Sequence, residues 1–254
     1  MRIFFIFLHK LLLLALAVYW LGEFVLTKLR EFLSSGNPDD LERDRRYIEH
    51  KIRNLERSPV HLAIILGNEA PQYGVLGKLI IWAAAAGIKH ISLYDHEGVL
   101  KRDNDKVRKH VKALKSDHEQ ILWGPDFNNG AVDAVPPMNG YKTRLFVNFF
   151  APDDGKRRII ETSQDLAADV KHGKLSIDEI TIDFVDKSLK KHIYGLPDPD
   201  LALYFGGVCS NFGFLPWHTR LTEFLSIKSQ ANVTSPDFVR SLFRFSKCEQ
   251  RFGK

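Results

Sequence analysis

The sequence is poor in the residues that build covalently cross-linked or metal-bearing sites. Its 254 residues include only two cysteines, Cys209 and Cys248. Two thiols cannot form the disulfide framework of a small secreted domain, so a reducing compartment is favoured. The ten histidines show no pairing at i, i+4 and no neighbouring cysteine that would close a metal site. The sequence therefore predicts no metal centre in this chain.

Motifs of self-sufficient catalysis are also missing. There is no Gly-x-Ser-x-Gly nucleophile elbow. The segment 74–79, GVLGKL, has some of the glycines of a phosphate-binding loop, but Leu79 stands where Ser or Thr must follow Lys78. Neither a nucleotide site nor a complete catalytic set is predicted.

The charge is weakly one-sided, at +5 from 36 basic and 31 acidic residues. Residues 1–30 hold four of the basic residues and one of the acidic ones, so they contribute +3, and the remaining residues contribute only +2. Basic residues that flank a hydrophobic segment are typical of membrane attachment. No nucleic-acid partner is predicted, because no basic face is left for one.

The first thirty residues are mostly apolar from Ile3 to Leu26, but the uninterrupted run, 11–22, has only twelve residues. A membrane-spanning helix needs about 20. We favour a retained membrane anchor, since Tyr19 and Trp20 suit a membrane interface; a cleaved signal peptide and a re-entrant or surface helix are the alternatives. Basic residues are more numerous after this segment than before it, which predicts that the main domain faces the cytosol.

Three segments are predicted along the chain: a membrane anchor and flank at 1–33, a charged amphipathic helix and linker at 34–58, and a main domain at 59–254. In the second segment, apolar residues recur at spacings of 7, 4 and 3, which predicts a helix packed by one face. They are Leu41, Ile48, Ile52 and Leu55.

The main domain has short, continuous apolar runs separated by stretches of helical periodicity. The runs are 60–66, 90–94, 144–150 and 201–205, and the helical stretches are 74–86, 103–122, 156–172 and 176–191. Continuous apolar strands indicate a parallel sheet that is covered on both faces. The predicted fold is therefore α/β, with a mostly parallel central sheet flanked by helices. A long loop is predicted at 123–140.

Four segments, in order, resemble the cis-prenyltransferase family, whose members build Z-polyprenyl diphosphates. They are HLAIILGN (61–68), GIKHISLYDHEGVLKR (87–102), PDPDLALYFGGVCSNFGFLPWHTRLTEF (197–224) and CEQRFGK (248–254). With the N-terminal hydrophobic segment, the combination is similar to the accessory subunits of eukaryotic dehydrodolichyl diphosphate synthase.

The sequence departs from the active members of that family at both diphosphate sites. They carry Asp-Gly-Asn-Arg after the first strand, where this chain has Leu66-Gly67-Asn68-Glu69. An acid at position 69 repels a diphosphate instead of attracting it. They also carry an arginine-rich stretch, whereas 204–209 contains no cation, and the next ones are His218 and Arg220. The resemblance therefore implies a subunit that is not catalytic alone.

One family element is retained at the end of the sequence, the motif Arg251-Phe252-Gly253. The resemblance implies that Arg251 and Gly253 complete the isopentenyl diphosphate site of a neighbouring subunit. Arginine offers a planar fork to a diphosphate, and glycine lets a backbone N–H approach closely.

The implied function is to act with a catalytic cis-prenyltransferase subunit that condenses isopentenyl diphosphate with farnesyl diphosphate into the precursor of dolichol for protein glycosylation. Mg²⁺ is expected to be bound mainly by that partner, and the heteromer is expected at the endoplasmic reticulum membrane. The alternatives are a membrane-anchored receptor or binding protein without a role in prenyl transfer, and a homodimeric enzyme that uses Glu69 as a metal ligand. Glycan on the sequon at Asn232 would indicate a domain outside the cytosol.

Overall fold

The structure is a computed structural model that describes residues 2–34, 38–124, 143–208 and 210–248. The chain forms two compact units, 1–37 and 38–254.

The first unit is a single helix, α1 (Arg2–Ser34), of 33 residues. Large apolar side chains between Phe7 and Val25 are exposed. Among the described residues, no helix combines the length and the apolar character that crossing a membrane requires. The membrane anchor predicted at 1–33 is therefore not supported as a spanning helix, and membrane attachment by this segment stays a prediction.

The second unit is a six-stranded parallel sheet with helices on both faces. Its strands lie in the order β3-β4-β2-β1-β5-β6, and every neighbouring pair is parallel. The strands are β1 (His61–Ile65), β2 (His90–Tyr94), β3 (Glu119–Trp123), β4 (Thr143–Phe150), β5 (Leu201–Phe205) and β6 (Glu223–Ile227). The helices are α2 (Pro38–Ile52), α3 (Tyr73–Ala85), α4 (Val99–Arg102), α5 (Asn104–Leu114), α6 (Lys156–Lys171), α7 (Ile182–Lys190) and α8 (Ser235–Ser246). The predicted α/β fold is confirmed.

The core lies on both faces of the central strands, which explains their continuous apolar sequence. Alternate residues of a strand point to opposite faces. In β1, Leu62 and Ile64 join a large cluster with helices α3, α5 and α8, while Ala63 and Ile65 join a smaller one on the other face. All five residues of β1 are buried.

Helix α2 packs on the sheet unit by one face, although most of its residues are charged. Leu41 and Ile48 are buried in the larger cluster. Arg45, also buried, donates to Glu119 Oε1 of β3 at 2.6 Å and to the Leu114 carbonyl at 2.7 Å. Each buried charge therefore has a partner, as burial demands.

Four elements differ from the sequence prediction. The helix expected over 103–122 ends at Leu114, and 119–123 forms β3, whose acidic first residue is buried because Arg45 pairs with it. Strand β6 and helices α4 and α8 were not predicted. Helix α8 begins with a capping box, in which the hydroxyl of Thr234 accepts from the backbone of Asp237 and the Asp237 carboxylate accepts from the backbone of Thr234. Residues 125–142, most of the predicted loop, lie outside the described residues.

Candidate functional site

The carboxyl ends of β1, β2, β5 and β6 meet at one edge of the sheet, because all the strands are parallel. We call this end of the strands the carboxyl edge and the opposite end the amino edge; neither name refers to the outer strands β3 and β6. In open α/β sheets, ligands bind outside the carboxyl ends of the strands. The loops that follow β1, β2 and β6 therefore form the candidate site, and they include Glu69, Asp95 and Gln230.

The turn after β1 requires glycine. Gly67 has φ +60°, and a Cβ atom there would lie 2.5 Å from the Phe205 carbonyl oxygen. The Gly67 carbonyl accepts a hydrogen bond from His96 Nδ1 at 2.8 Å, which links the loops after β1 and β2. Because only glycine fits both the angle and the space, this turn brings the backbone of β1 close to that of β5.

Glu69 is bound by donors of this same chain. Its Oε2 accepts from the backbone N–H of Gln230 at 2.9 Å, from Gln230 Nε2 at 3.2 Å and from Ser229 Oγ at 3.3 Å. A carboxylate held by three donors has few free lone pairs on that oxygen. The acid that replaces the family's arginine thus binds the loop after β6.

Gln230 extends this contact into a clasp between the loops after β1 and β6. Its side chain is fully buried. Its Oε1 accepts from the Gln72 backbone N–H at 3.2 Å, and its Nε2 also donates to the Ala70 carbonyl at 3.3 Å. We call the contacts of Glu69, Ser229 and Gln230 the Glu69–Gln230 clasp. Buried amides need such partners, so the two loops hold each other.

An aromatic ring covers the turn after β1. Phe212 lies against the position that a Gly67 side chain would occupy, with its ring atoms 3.3 Å from it, and its ring centroid is 5.7 Å from that of His96. Tyr94 holds it there, because its hydroxyl donates to the Phe212 carbonyl at 2.6 Å. Burial, helped by the nearby Asp95 and Asp154, raises the pKa of Tyr94 to about 12, so its hydroxyl remains a donor at neutral pH. The backbone turn at Gly67, where a ligand would contact the main chain, is therefore covered by an apolar ring.

Asp95, at the end of β2, is used in the fold. It is buried, and its two carboxylate oxygens accept from the backbone N–H groups of Val99 and Leu100, each at 2.8 Å. These are first-turn donors of α4, which have no partner within the helix. Asp95 caps that helix.

His218, the first cation after β5 in sequence, does not supply a diphosphate clamp. His218 is buried and bonds through Nδ1 to Asp198 at 3.0 Å, and Asp198 precedes the amino end of β5. Ser210 and Asn211 accept from backbone N–H groups two residues on, at Phe212 and Gly213, and so shape the turn.

No cluster of three or more His, Cys, Asp or Glu side chains that could hold a metal ion occurs among residues 2–34, 38–124, 143–208 and 210–248. Arg251, Phe252 and Gly253 lie outside the described residues, so their predicted role stays a prediction.

No sequence pattern pointed to the contacts of Ser229 and Gln230 or to the covering of the turn by Phe212. Gln230 lies 161 residues from Glu69, and no local pattern connects them. The usable hint was the acid itself, because a carboxylate at the end of a buried strand needs donors from elsewhere in the chain.

The fold is that of the cis-prenyltransferases. A solved structure of lavandulyl diphosphate synthase from Lavandula x intermedia, in complex with dimethylallyl diphosphate, matches with a TM-score of 0.55 over 78% of this chain and 99% of that one. Its 20% sequence identity supports the fold alone. No family model matches the sequence.

Sequence comparison gives a narrower assignment. The NUS1 subunit of the dehydrodolichyl diphosphate synthase complex of Homo sapiens is 35% identical over 209 residues, which cover 80% of this chain and 69% of that protein. A tritrans,polycis-undecaprenyl-diphosphate synthase of Methanopyrus kandleri is 27% identical over 82% of this chain and 89% of its own length. This chain belongs to the NUS1 family of dehydrodolichyl diphosphate synthase complex subunits.

Proposed function

We propose that this chain is the accessory subunit of a dehydrodolichyl diphosphate synthase complex and is not catalytic alone. With a catalytic cis-prenyltransferase subunit, it takes part in condensing isopentenyl diphosphate with farnesyl diphosphate to make the precursor of dolichol. The observation that carries this proposal is the Glu69–Gln230 clasp. It occupies, with an acid and its donors, the loop where active members of the family place a cation.

The catalytic partner supplies Mg²⁺, the diphosphate-binding arginines and the space for the growing chain. The carboxyl edge of this chain does not fit a Mg²⁺ ion. Leu66 stands in place of the family's aspartate and is fully buried, and Glu69 Oε2 already has three donors. Hard cations require free oxygen ligands.

Arg251 and Gly253 serve the partner's isopentenyl diphosphate site. Arg251 offers two parallel N–H donors to diphosphate oxygens, and Gly253 leaves its backbone N–H open to a third. The position of Cys248 supports a role in the partner's site and not at the carboxyl edge of this chain. Its thiol donates to Glu223, the first residue of β6, which lies at the opposite, amino edge.

The N-terminal helix α1 attaches the complex to the endoplasmic reticulum membrane, with the main domain in the cytosol. Its exposed apolar side chains between Phe7 and Val25 support contact with lipid. Asn232 is exposed and lies in a sequon, so it reports the side of the membrane. We expect no shift in mass after glycosidase treatment of protein from eukaryotic cells; an occupied Asn232 would place the domain in the lumen, away from cytosolic substrates.

The test is prenyl transfer by the purified chain, by a catalytic subunit and by the two together. We expect negligible transfer by this chain alone and a large gain on combination. Substantial transfer by the lone chain would refute the proposal.

The contribution of the last residues is tested by Arg251→His and Gly253→Ala in the purified complex. Each is expected to lower kcat by roughly 10- to 100-fold, as for the loss of one donor to a reacting phosphate group. Co-purification should be retained. Gln250→Ala is the matched control. Unchanged turnover in both variants would remove these residues from the mechanism and leave a receptor or binding role as the better account.

A further inference from the structure

A groove lies between strand β6, at the edge of the sheet, and helix α8. We call it the β6–α8 groove. Its volume is about 360 Å³, within the range of roughly 300–1,000 Å³ that is typical of ligand pockets. Three cations line it, Lys228, Arg240 and Arg244, together with one acid, Asp237. The lining therefore carries a charge of +2, which equals the whole charge excess of the residues after 30.

Two of the three cations are available to a ligand. Lys228 and Arg244 are exposed, and neither forms a hydrogen bond or an ion pair with any residue that the structure describes. Both therefore keep all their N–H donors. Arg240 and Arg244 lie four residues apart in α8, so they project from one side of the helix. Like charges that share a groove repel each other, and a bound anion relieves this repulsion.

The acid in the groove does not neutralise these two cations. Asp237 Oδ1 accepts from Arg240 Nη1 at 2.8 Å, and its Oδ2 accepts from the hydroxyl of Thr234 at 2.6 Å. The contact with Thr234 belongs to the capping box at the start of α8. Asp237 is thus used by the helix and by Arg240, and the charges of Lys228 and Arg244 stay uncompensated.

The strand side of the groove adds uncharged donors. The hydrogen bonds from β6 to β5 use the backbone N–H of Glu223 and the carbonyl of Ile227. Successive residues of a strand direct these groups to opposite sides, so the N–H of Ser226 points away from β5, at the open edge of the sheet. Ser226 and Asn232 both line the groove and are exposed. Such N–H and O–H groups beside cations are donors that phosphate oxygens accept from.

The walls of the groove are fixed by the fold. Ser229, a member of the Glu69–Gln230 clasp, lines it, and its hydroxyl donates to Glu69 at 3.3 Å and accepts from the backbone N–H of Ala231 at 3.2 Å. On the helix side, the hydroxyl of Ser241 donates to the Asp237 carbonyl at 3.0 Å. A groove whose walls are already ordered has a smaller entropic cost of binding.

We propose that the β6–α8 groove is a binding site for a phosphomonoester. This group carries a charge of about −1.5 to −2 at neutral pH and three acceptor oxygens, which match the charge of +2 and the separate donors of the groove. Arg244 offers two parallel N–H donors, and Lys228 offers a point charge. The volume leaves room for the organic part of the ligand, which is either a soluble organic phosphate or the head group of a lipid such as phosphatidic acid.

The test is isothermal titration calorimetry of glycerol 3-phosphate into the purified 254-residue chain. We expect one site per chain. Arg244→Gln and Lys228→Gln should each weaken binding by about tenfold, because each removes a charge-assisted hydrogen bond. Arg53→Gln, at an exposed arginine outside the groove, is the matched control and should bind as the wild type does. The melting temperature should be the same in all these proteins, since the substituted residues are exposed.

A second arm separates the two sources of the phosphate. The same proteins are sedimented with phosphatidylcholine vesicles that contain or lack phosphatidic acid, and the gain in binding from phosphatidic acid is measured. Binding of glycerol 3-phosphate that depends on Arg244 and Lys228 identifies a soluble organic phosphate as the ligand. A gain on vesicles that depends on these residues, without binding of glycerol 3-phosphate, identifies a lipid head group.

The proposal is wrong if neither probe binds, or if the groove variants and Arg53→Gln behave alike. Prenyl transfer is not measured in either arm, so this outcome would leave the proposed function unaffected.

Discussion

The two edges of the sheet use polar residues in different ways. At the carboxyl edge, Glu69 and Gln230 bind each other's loops, and Phe212 covers the turn at Gly67. At the amino edge, polar contacts hold the end of helix α8. Ser246 accepts from the backbone N–H of Arg57, and the Arg57 side chain donates to the Cys248 carbonyl.

The carboxyl edge shows what can replace a ligand-binding site when its ligand-binding residues are lost. A carboxylate left unpaired at the end of a buried strand costs free energy, so donors from a distant loop satisfy it. The carboxyl edge is thereby turned into part of the fold. At the amino edge, by contrast, a polar contact holds the end of α8 to the segment before β1.

The largest effect is expected from an attempt to reopen the carboxyl edge with Leu66→Asp, which restores the family's residue type. Leu66 is fully buried, so an unpaired carboxylate there should lower the free energy of unfolding by about 3–5 kcal/mol. Urea unfolding of the purified chain measures it. Leu66→Asn is the control, and Leu66→Asp should gain stability relative to it as the pH falls and the buried acid is protonated. Parallel pH profiles would show that residue 66 is not sealed from water.

A slightly smaller effect is expected at the amino edge, from His61. Its Nδ1 bonds to the Pro197 carbonyl at 2.6 Å and its Nε2 to Ser92 Oγ at 2.7 Å. Burial is the main cause that lowers the pKa of His61 to about 4, from 6.5. The unfolded chain therefore binds a proton between these values that the folded chain does not, and stability falls as the pH drops from 6.5 to 4 by about 3 kcal/mol.

The measurement is chemical unfolding at a series of pH values for the wild type and His61→Gln. The variant should be less stable at neutral pH but lose less stability on acidification. His110→Gln, at an exposed histidine, should keep the slope of the wild type. Equal slopes in all three proteins would mean that His61 is protonated in the folded state.

The smallest effect on stability is expected from Glu69→Ala, which removes three hydrogen bonds and leaves the buried amide of Gln230 with fewer partners. We expect a loss of ~2 kcal/mol in the free energy of unfolding, measured with denaturant. Glu97→Ala, at an exposed acid in the next loop, should change it little. The complex that carries Glu69→Ala should keep its prenyl-transfer activity. If turnover falls although the complex assembles fully, Glu69 takes part in the reaction.

The strands at the centre of the sheet were predictable, because burial on both faces leaves a continuous apolar run such as 61–65. Strand β3 was not, since its Glu119 is polar but buried and the helical pattern predicted over 103–122 runs into it. Its burial depends on Arg45, 74 residues away. Contacts of that range leave no local periodicity.

The candidate site divides in the same way. The replaced residues at 66 and 69 could be recognised from sequence, because a family resemblance fixes what should stand there. Sequence could not reveal the hydrogen-bond donors to Glu69, nor the contacts of Arg57 with Phe245 and Cys248. They depend on which loops the topology brings together, and on side chains whose spacing carries no pattern.

The placement of β1 has a consequence for biosynthesis. It lies between β2 and β5, its first backbone N–H is bonded to Asp200, and its loop is bonded to Gln230. A ribosome must release the chain as far as Gln230 before all of these contacts can form. Closure of such distant contacts is slow, so the nascent chain exposes the apolar residues of β1 until the segments that carry β5 and Gln230 have emerged.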